Sequence, residues 1–141
     1  MQRDRKNSMT HRSSGHVIAV VDDDPSILRS LEYLLESADY RVVLFASGAE
    51  LLKDSCLAEI DCLLSDVDLP GMDGFELLRQ VHAVRPGLPV IYITAYPETV
   101  KRLPTLSEGK PRLFTKPFHG PELLAALSEA LRAAPARGTA W

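Results

Sequence analysis

The sequence predicts an α/β fold in which a doubly wound, five-stranded parallel sheet carries helices on both faces. Two observations lead to this prediction. Five short apolar runs alternate with segments whose apolar residues recur at the 3.6-residue spacing of an amphipathic helix, and this alternation is typical of parallel strands joined by right-handed crossovers. The chain also has the size of one globular domain, with 141 residues of which 45% are hydrophobic and 25% charged.

The first strand and helix are predicted over residues 16–35. An apolar strand covers 16–21, and Pro25 then opens a helix. Asp24 stands at the N-cap position, where its carboxylate can accept a hydrogen bond from a backbone N–H of the first turn. The helix has one apolar face, made of Ile27, Leu28, Leu31, Leu34 and Leu35.

The middle of the chain repeats this order of strand and helix. The predicted elements are a strand over 42–45, a short helix begun by Ser47, a strand over 62–65, a helix from 74 to about 84 and a strand over 89–93.

A fifth strand is predicted over 112–115 and a last helix begins at Pro121. Between Thr94 and Lys116 the alternation requires a fourth helix, but prolines interrupt that span. In a helix interior Pro104 would cost about 3 kcal/mol. The fourth helix is therefore predicted to be short or broken.

The remaining segments are polar. Residues 1–15 show no periodicity and are predicted to form a disordered arm ahead of a domain over 16–133, with a short tail over 134–141. Because only about eight residues follow the last helix, the sequence predicts a domain that stands alone, without a DNA-binding or catalytic output domain.

The composition and charge of the chain limit the classes of function that it can have. A net charge of -3 gives no overall charge signature for binding nucleic acid or an anionic membrane. No apolar stretch approaches the roughly 20 residues that span a bilayer, and the polar start lacks the apolar core of a signal peptide. We therefore expect a cytoplasmic protein that neither inserts into membranes nor binds nucleic acid directly. Cys56 and Cys62 are expected to serve as small apolar residues rather than as a disulfide or a zinc site.

Reactive side chains follow four of the apolar runs. Asp22 and Asp23 follow the first, Asp66 the third, Thr94 the fourth and Lys116 the fifth. Because the carboxyl ends of parallel strands meet at one edge of the sheet, where open α/β folds place their sites, we expect these side chains to share one cleft.

Three carboxylates in one cleft repel one another unless a cation lies between them. Hard oxygen ligands that stay partly hydrated suit Mg²⁺, which would also offset charge on an incoming phosphoryl group. Asp66, the most central acid, would then attack phosphorus as a carboxylate nucleophile. Thr94 can donate a hydrogen bond to one phosphoryl oxygen and Lys116 can pair with another. The cleft therefore predicts magnesium-dependent phosphoryl transfer to an aspartate.

Each element alone has an ordinary explanation. The acidic run 22–24 also fits a helix start stabilised by the macrodipole. The pairs Pro70-Gly71 and Asp73-Gly74 are turn signals in any protein. Thr94 can be a simple strand-end hydroxyl, and a lysine before a proline is often only a surface residue. The occurrence of all of them in order, each after a strand, favours the functional interpretation.

These residues resemble the receiver domain of two-component response regulators over residues 16 to about 133. The stretch 66–74 is similar to the phosphorylation loop of that family almost letter for letter. The matching residues are Asp22 and Asp23 for the acidic pair, Asp66 for the phosphoacceptor, Thr94 for the switch hydroxyl, and Lys116 with Pro117 for the lysine and its following proline.

The resemblance implies a flavodoxin-like strand order of 2-1-3-4-5 and a cis peptide before Pro117. It implies that Asp23 and Asp66 bind Mg²⁺ directly with the backbone carbonyl of Asp68, and that Asp22 acts through water. It also implies a signalling domain rather than an enzyme with an output activity. A sensor histidine kinase or phosphotransfer protein would donate the phosphoryl group, and the product would alter a surface read by an unidentified downstream protein.

Two features depart from the family. Three residues before the lysine the family usually has Tyr or Phe, whereas this chain has Leu113, with Phe114 on the opposite face of the strand. The fourth predicted helix is interrupted by proline. Both departures fall on the face through which receivers signal.

Two alternative functions follow from the same residues. A degenerate receiver that only binds partners would retain the fold without taking a phosphoryl group, and Leu113 and Pro104 favour it. An aspartyl-phosphate hydrolase of the haloacid-dehalogenase type would use Asp66 and Asp68 as its pair of acids. In that family the nucleophile usually follows the first strand and has Thr or Val four places on, whereas here it follows the third and Pro70 stands at that place.

Overall fold

The computed structural model describes residues 15–72, 74–96 and 112–133. Residues 1–14 of the predicted N-terminal arm, the predicted fourth helix within 97–111 and the tail from 134 therefore lie outside the part that is described, as does Asp73.

One five-stranded sheet forms the centre of the molecule. Its strands are all parallel and follow the order β2-β1-β3-β4-β5, which confirms the predicted fold and strand order. The strands are β1 (Val17–Val21), β2 (Arg41–Phe45), β3 (Cys62–Asp66), β4 (Val90–Thr94) and β5 (Arg112–Thr115).

Four helices occur in the described ranges, together with a 3₁₀ turn at Ser55–Ala58. Asp24 caps the first helix, with its Oδ1 2.9 Å from the Ser26 nitrogen, and Ser47 Oγ lies 3.1 Å from the Glu50 nitrogen in the second. Both caps agree with the sequence prediction. The helices are α1 (Pro25–Ser37), α2 (Gly48–Lys53), α3 (Gly74–Val84) and α4 (Gly120–Ala133).

The last helix begins one residue earlier than predicted. Gly120 is its first residue and Pro121 its second. The shift is tolerated because the N–H groups of the first helical turn have no partner within the helix, so the N–H that proline lacks is not needed there.

The core has two sides because successive strand residues point to opposite faces of the sheet. Ile18 and Val20 pack with α1 and α4, whereas Ala19 and Val21 pack with α2 and α3. Every residue of β3 is buried, as expected for a central parallel strand covered on both faces. Cys62 at the start of β3 is fully buried in the first of these clusters, in agreement with the predicted role as a small apolar residue.

Side chains also fasten the amino-terminal edge of the sheet. Asp61 Oδ2 accepts a hydrogen bond from the Val17 backbone nitrogen at 2.8 Å. The guanidinium of Arg85, just after α3, donates to the carbonyls of Leu57 and Ile60 at 2.5 and 3.1 Å. These bonds satisfy backbone groups at the edge where the strands begin. Among the helices described here, none has both the length and the apolar character needed to cross a bilayer.

Candidate functional site

The carboxyl ends of four strands bring the predicted residues to one edge of the sheet. Asp22 follows β1, Asp66 ends β3, Thr94 ends β4 and Lys116 follows β5. Lys116 Nζ lies 2.9 Å from Asp22 Oδ2 and 3.1 Å from Asp66 Oδ2. One ammonium group therefore connects the two buried acids. The peptide bond between Lys116 and Pro117 is cis.

Three carboxylates form a cluster beside this lysine. Oxygen atoms of Asp22, Asp23 and Asp66 all lie within 4.8 Å of one another. Asp22 and Asp66 are only 1% and 5% exposed, whereas Asp23 is exposed to solvent. Hard oxygen donors with access to water on one side fit the preference of Mg²⁺ for carboxylates and retained water. The donor set is thus chemically suited to that ion.

Burial and charge shift two groups of this cluster. The pKa of Asp22 is raised above its usual value, chiefly because burial disfavours the charged form, and hydrogen bonds from the Asp24 backbone and from Lys116 offset only part of this effect. Burial alone would lower the pKa of Lys116, but hydrogen bonds and charges from Asp22 and Asp66 outweigh it and raise that pKa. The lysine is therefore an ammonium ion at neutral pH.

Asp66 is held at both carboxylate oxygens. Its Oδ1 accepts a hydrogen bond from the Asp68 backbone nitrogen at 2.9 Å, and its Oδ2 faces Lys116. These donors orient the carboxylate of Asp66, which is itself only 5% exposed.

Thr94 contacts the side chain of Asp68. Its hydroxyl donates to Asp68 Oδ2 at 2.8 Å and accepts from the Tyr96 backbone nitrogen at 3.0 Å. The sequence pointed to the backbone carbonyl of Asp68 and gave no sign of this side-chain contact, which joins residues 26 positions apart. The only available signal was a second acid two residues after Asp66.

Leu113 and Tyr92 lie side by side behind Thr94. They are partners in the register of β4 and β5 and pack in one cluster with Val67 and Leu78. Phe75 contacts the Tyr92 ring edge to face, with centroids 5.4 Å apart. An aromatic ring thus stands next to the position where the sequence places leucine.

Tyr92 is almost wholly buried and polar at its tip. Its hydroxyl makes no hydrogen bond within the described part of the chain, and burial raises the pKa of Tyr92 to about 12. Phe114 packs on the opposite face of the sheet, as its place in the strand predicts.

Comparisons with known proteins agree with this architecture. Residues 18–128 match the family model described as the response regulator receiver domain. Over 127 residues the chain is 34% identical to the response regulator protein TodT of Pseudomonas putida, covering 90% of this chain and 55% of TodT. It is 37% identical over 115 residues to the DNA-binding transcriptional regulator NtrC of Escherichia coli K12, covering 82% of this chain and 24% of NtrC. The chain therefore spans about half or less of the length of these curated relatives.

Solved structures show the same likeness. A CheY-like response regulator receiver domain protein from Methanospirillum hungatei JF-1 is 33% identical with a TM-score of 0.74, and the match covers 84% of this chain and 95% of that one. The chemotaxis protein CheY4 of Vibrio cholerae is 29% identical with a TM-score of 0.72, covering 83% and 99%. The chain belongs to the response regulator receiver domains, the signalling domains of two-component systems.

Proposed function

We propose that this receiver accepts a phosphoryl group on Asp66 in a Mg²⁺-dependent reaction in the cytoplasm. The donor is a phosphohistidine of a sensor histidine kinase or of a phosphotransfer protein. The observation that carries the proposal is the position of Lys116, whose ammonium contacts both Asp66 and Asp22 beside a cluster of three carboxylates. This arrangement offers a nucleophile and positive charge at the same point.

The transfer moves the phosphoryl group from nitrogen to oxygen. A carboxylate oxygen of Asp66 attacks phosphorus, the bond from phosphorus to the imidazole nitrogen of the donor breaks, and the electron pair of that bond returns to the imidazole. Lys116, already 3.1 Å from Asp66, pairs with a phosphoryl oxygen. Thr94 donates a hydrogen bond from its hydroxyl to another phosphoryl oxygen. The protein itself contributes little covalent chemistry to this transfer, so its catalytic effect comes mainly from positioning the groups and from stabilising charge.

The carboxylates of Asp23 and Asp66 and the backbone carbonyl of Asp68 would hold Mg²⁺ directly, and Asp22 would act through water. The bound ion supplies positive charge that offsets the oxygens of the phosphoryl group. The phosphorylated domain then signals by a conformational change to a protein partner. The net charge of -3 favours protein over nucleic acid as that partner.

A second candidate is a degenerate receiver that binds partners without phosphorylation. Leu113, in the place of the family's aromatic residue, favours it because leucine has no ring or polar tip to follow Thr94. The two proposals differ in one respect only, which is whether Asp66 takes a phosphoryl group. A phosphoesterase of the dehalogenase type is less well supported, because Asp66 ends the third strand rather than the first.

Labelling from acetyl phosphate tests the main proposal. The wild-type chain should take up one phosphoryl group with Mg²⁺ and none after EDTA treatment. Asp66→Asn should abolish labelling, since the amide keeps the size of the side chain and removes the nucleophile. A matched control is Asp39→Asn, at an exposed position with φ of 71°, which asparagine also tolerates. Labelling that persists in Asp66→Asn, or in EDTA, would refute the proposal.

A further inference from the structure

The hydroxyl of Thr94 has one proton, and that proton is already in use. A threonine hydroxyl donates one hydrogen bond and accepts others. In this structure it donates to Asp68 Oδ2 at 2.8 Å and accepts from the Tyr96 nitrogen at 3.0 Å. Thr94 is fully buried, so bulk water does not compete with Asp68 as the acceptor of this hydrogen bond. While this bond exists, Thr94 cannot donate to another acceptor.

Asp68 contacts both Asp66, the proposed nucleophile, and Thr94. Its backbone nitrogen donates to Asp66 Oδ1 at 2.9 Å, and its carboxylate receives the Thr94 hydroxyl. The residue lies two positions after the proposed phosphoacceptor and is half-buried. Asp68 therefore contacts the nucleophile through its backbone while its carboxylate holds the hydroxyl that the phosphoryl group needs.

We propose that Asp68 is a positioning residue that holds Thr94 in the resting state, so that the Asp68–Thr94 hydrogen bond must break before Thr94 can bind the phosphoryl group. This inference rests on the proposed function. The two arrangements exclude each other because both require the same proton. The acceptor is charged in each case, so one charge-assisted hydrogen bond is exchanged for another.

This exchange sets how strongly phosphorylation shifts the conformation. A ligand shifts an equilibrium only by the difference between its affinities for the two states. The Asp68 carboxylate leaves that difference unchanged but stabilises the resting state, so only a fraction of the unphosphorylated chain is competent to bind and the apparent affinity for a phosphoryl mimic falls by that fraction. Removing it should leave more of the unphosphorylated chain with Thr94 free to turn towards Asp66 and should tighten the binding of a phosphoryl mimic.

A simpler explanation predicts the same first result. The carboxylate of Asp68 also repels an anion bound at Asp66, and its removal would strengthen binding even if Thr94 had no part. The two explanations differ in their dependence on the Thr94 hydroxyl. Only the proposed hold on Thr94 disappears when that hydroxyl is absent.

The experiment is a double-mutant cycle on the affinity for beryllofluoride, a phosphate mimic, at saturating Mg²⁺. Asp68→Ala keeps the backbone carbonyl and should bind beryllofluoride about tenfold more tightly than wild type, the low end for a hydrogen bond to a charged group. In the Thr94→Ala background the same change should have an effect below about twofold, because additivity fails for residues in contact. Asp68→Asn, which keeps the size but offers a neutral acceptor, should give a smaller gain in the same direction.

Two further measurements sharpen the test. Glu122→Ala removes an exposed acid at the first turn of α4 and should leave the affinity unchanged, which controls for net charge. Without beryllofluoride, the Tyr96 amide resonance of Asp68→Ala should move towards its position in the beryllofluoride-bound wild type, since that amide contacts Thr94. An affinity of Asp68→Ala equal to wild type, a gain that persists in Thr94→Ala, or an unmoved Tyr96 amide would overturn the inference.

The two levels of failure can be told apart. If neither wild type nor Asp68→Ala binds beryllofluoride, the proposed function fails and this inference fails with it. If both bind with the same affinity, only the role of Asp68 is wrong. Binding by Asp68→Ala with none by wild type would support the hold on Thr94 if binding is lost again in the double variant Asp68→Ala, Thr94→Ala, and would overturn it if binding persists there.

Discussion

The ammonium nitrogen of Lys116 lies 2.9 Å from Asp22 Oδ2, which joins the end of an edge strand to the end of a central one. The two side chains are 18% and 1% exposed, so little water screens their interaction. Asp22 has a raised pKa because it is buried, and Lys116 has a raised pKa because acids surround it. The lysine is the main internal source of positive charge for this acid.

Removing that charge should destabilise the chain. We expect Lys116→Met to lower the free energy of unfolding at neutral pH by about 3 kcal/mol, since it leaves buried carboxylates without their partner. The folded pKa of Asp22 is raised, so its ionisation costs stability as the pH rises through that pKa, and the loss should shrink in acid. Urea denaturation measures it. Lys53→Met, at an exposed lysine, should change stability by about 0.5 kcal/mol or less, and an equal loss in both variants would contradict the prediction.

The buried hydroxyl of Tyr92 should make the fold sensitive to alkali. Burial raises the pKa of Tyr92 to about 12, so its stabilising contribution is fully present below the unfolded value near 10 and is lost as the pH rises through the folded one. We expect Tyr92→Phe to keep near-wild-type stability at pH 7 and to resist unfolding better between about pH 10 and 12. Thermal unfolding followed against pH checks this. A large loss at pH 7 would show that the hydroxyl makes a needed hydrogen bond.

Tyr96 should lengthen the life of the acyl phosphate. Its side chain is 54% exposed and its backbone nitrogen contacts Thr94, so it can screen the bond from attacking water, whereas the carboxylate of Asp68 would orient that water. Tyr96→Ala should lose its phosphoryl group several-fold faster than wild type in a radiolabel-decay assay. Tyr33→Ala, at an exposed tyrosine of α1, provides the control and should decay at the wild-type rate. An unchanged or slower decay in Tyr96→Ala would count against screening.

The conformational change that follows phosphorylation should occur mainly in the segment 97–111. Leu113 packs against Tyr92 and offers no ring to fill the space that Thr94 vacates when it moves. The three prolines of that segment lack N–H donors, so a helix there has fewer hydrogen bonds to lose on reordering. We expect hydrogen exchange in 97–111 to change when beryllofluoride binds. Changes confined to α1 or to the loops that bear the acids would show that another surface carries the signal.

Arg85 should matter for stability and not for phosphorylation. Its guanidinium is the donor for two backbone carbonyls at the amino edge, so Arg85→Ala should cost about 2 to 3 kcal/mol of unfolding free energy. Arg79→Ala, on α3, removes an exposed ion pair with Glu76 and should cost much less. Labelling of Asp66 should persist in both variants. Loss of labelling in a folded Arg85→Ala would show that the two edges are coupled.

The sequence was sufficient for the fold because local and global signals agree. Buried parallel strands appear as apolar runs, and β3 is buried throughout. Asp24 and Ser47 mark the helix starts because each forms an N-cap hydrogen bond to a residue no more than three positions away. The meeting of Asp22, Asp66 and Lys116 also follows from topology, since parallel strands end at one edge.

Contacts that depend on side-chain direction in loops were beyond the sequence. The bond from Thr94 to Asp68 joins residues 26 apart, and the bond from Arg85 to Leu57 joins residues 28 apart. No periodicity encodes either, because each depends on how a loop places one side chain against a residue that is distant in the sequence. The packing of Tyr92 beside Leu113 requires the register of β4 and β5, which the pattern of apolar residues leaves open.

The amino edge, where Asp61 and Arg85 hydrogen-bond to backbone groups, is also the side from which other molecules can be attached to the described domain. The strand β1 begins at that edge, and α4 runs back to it after following β5, so both ends of the described domain emerge there. Strands of five residues separate this edge from the acids by about 16 Å. A tether, a fluorophore or a fused protein at either end of the described domain would thus sit on the side opposite the acids and leave the acid-bearing edge unobstructed.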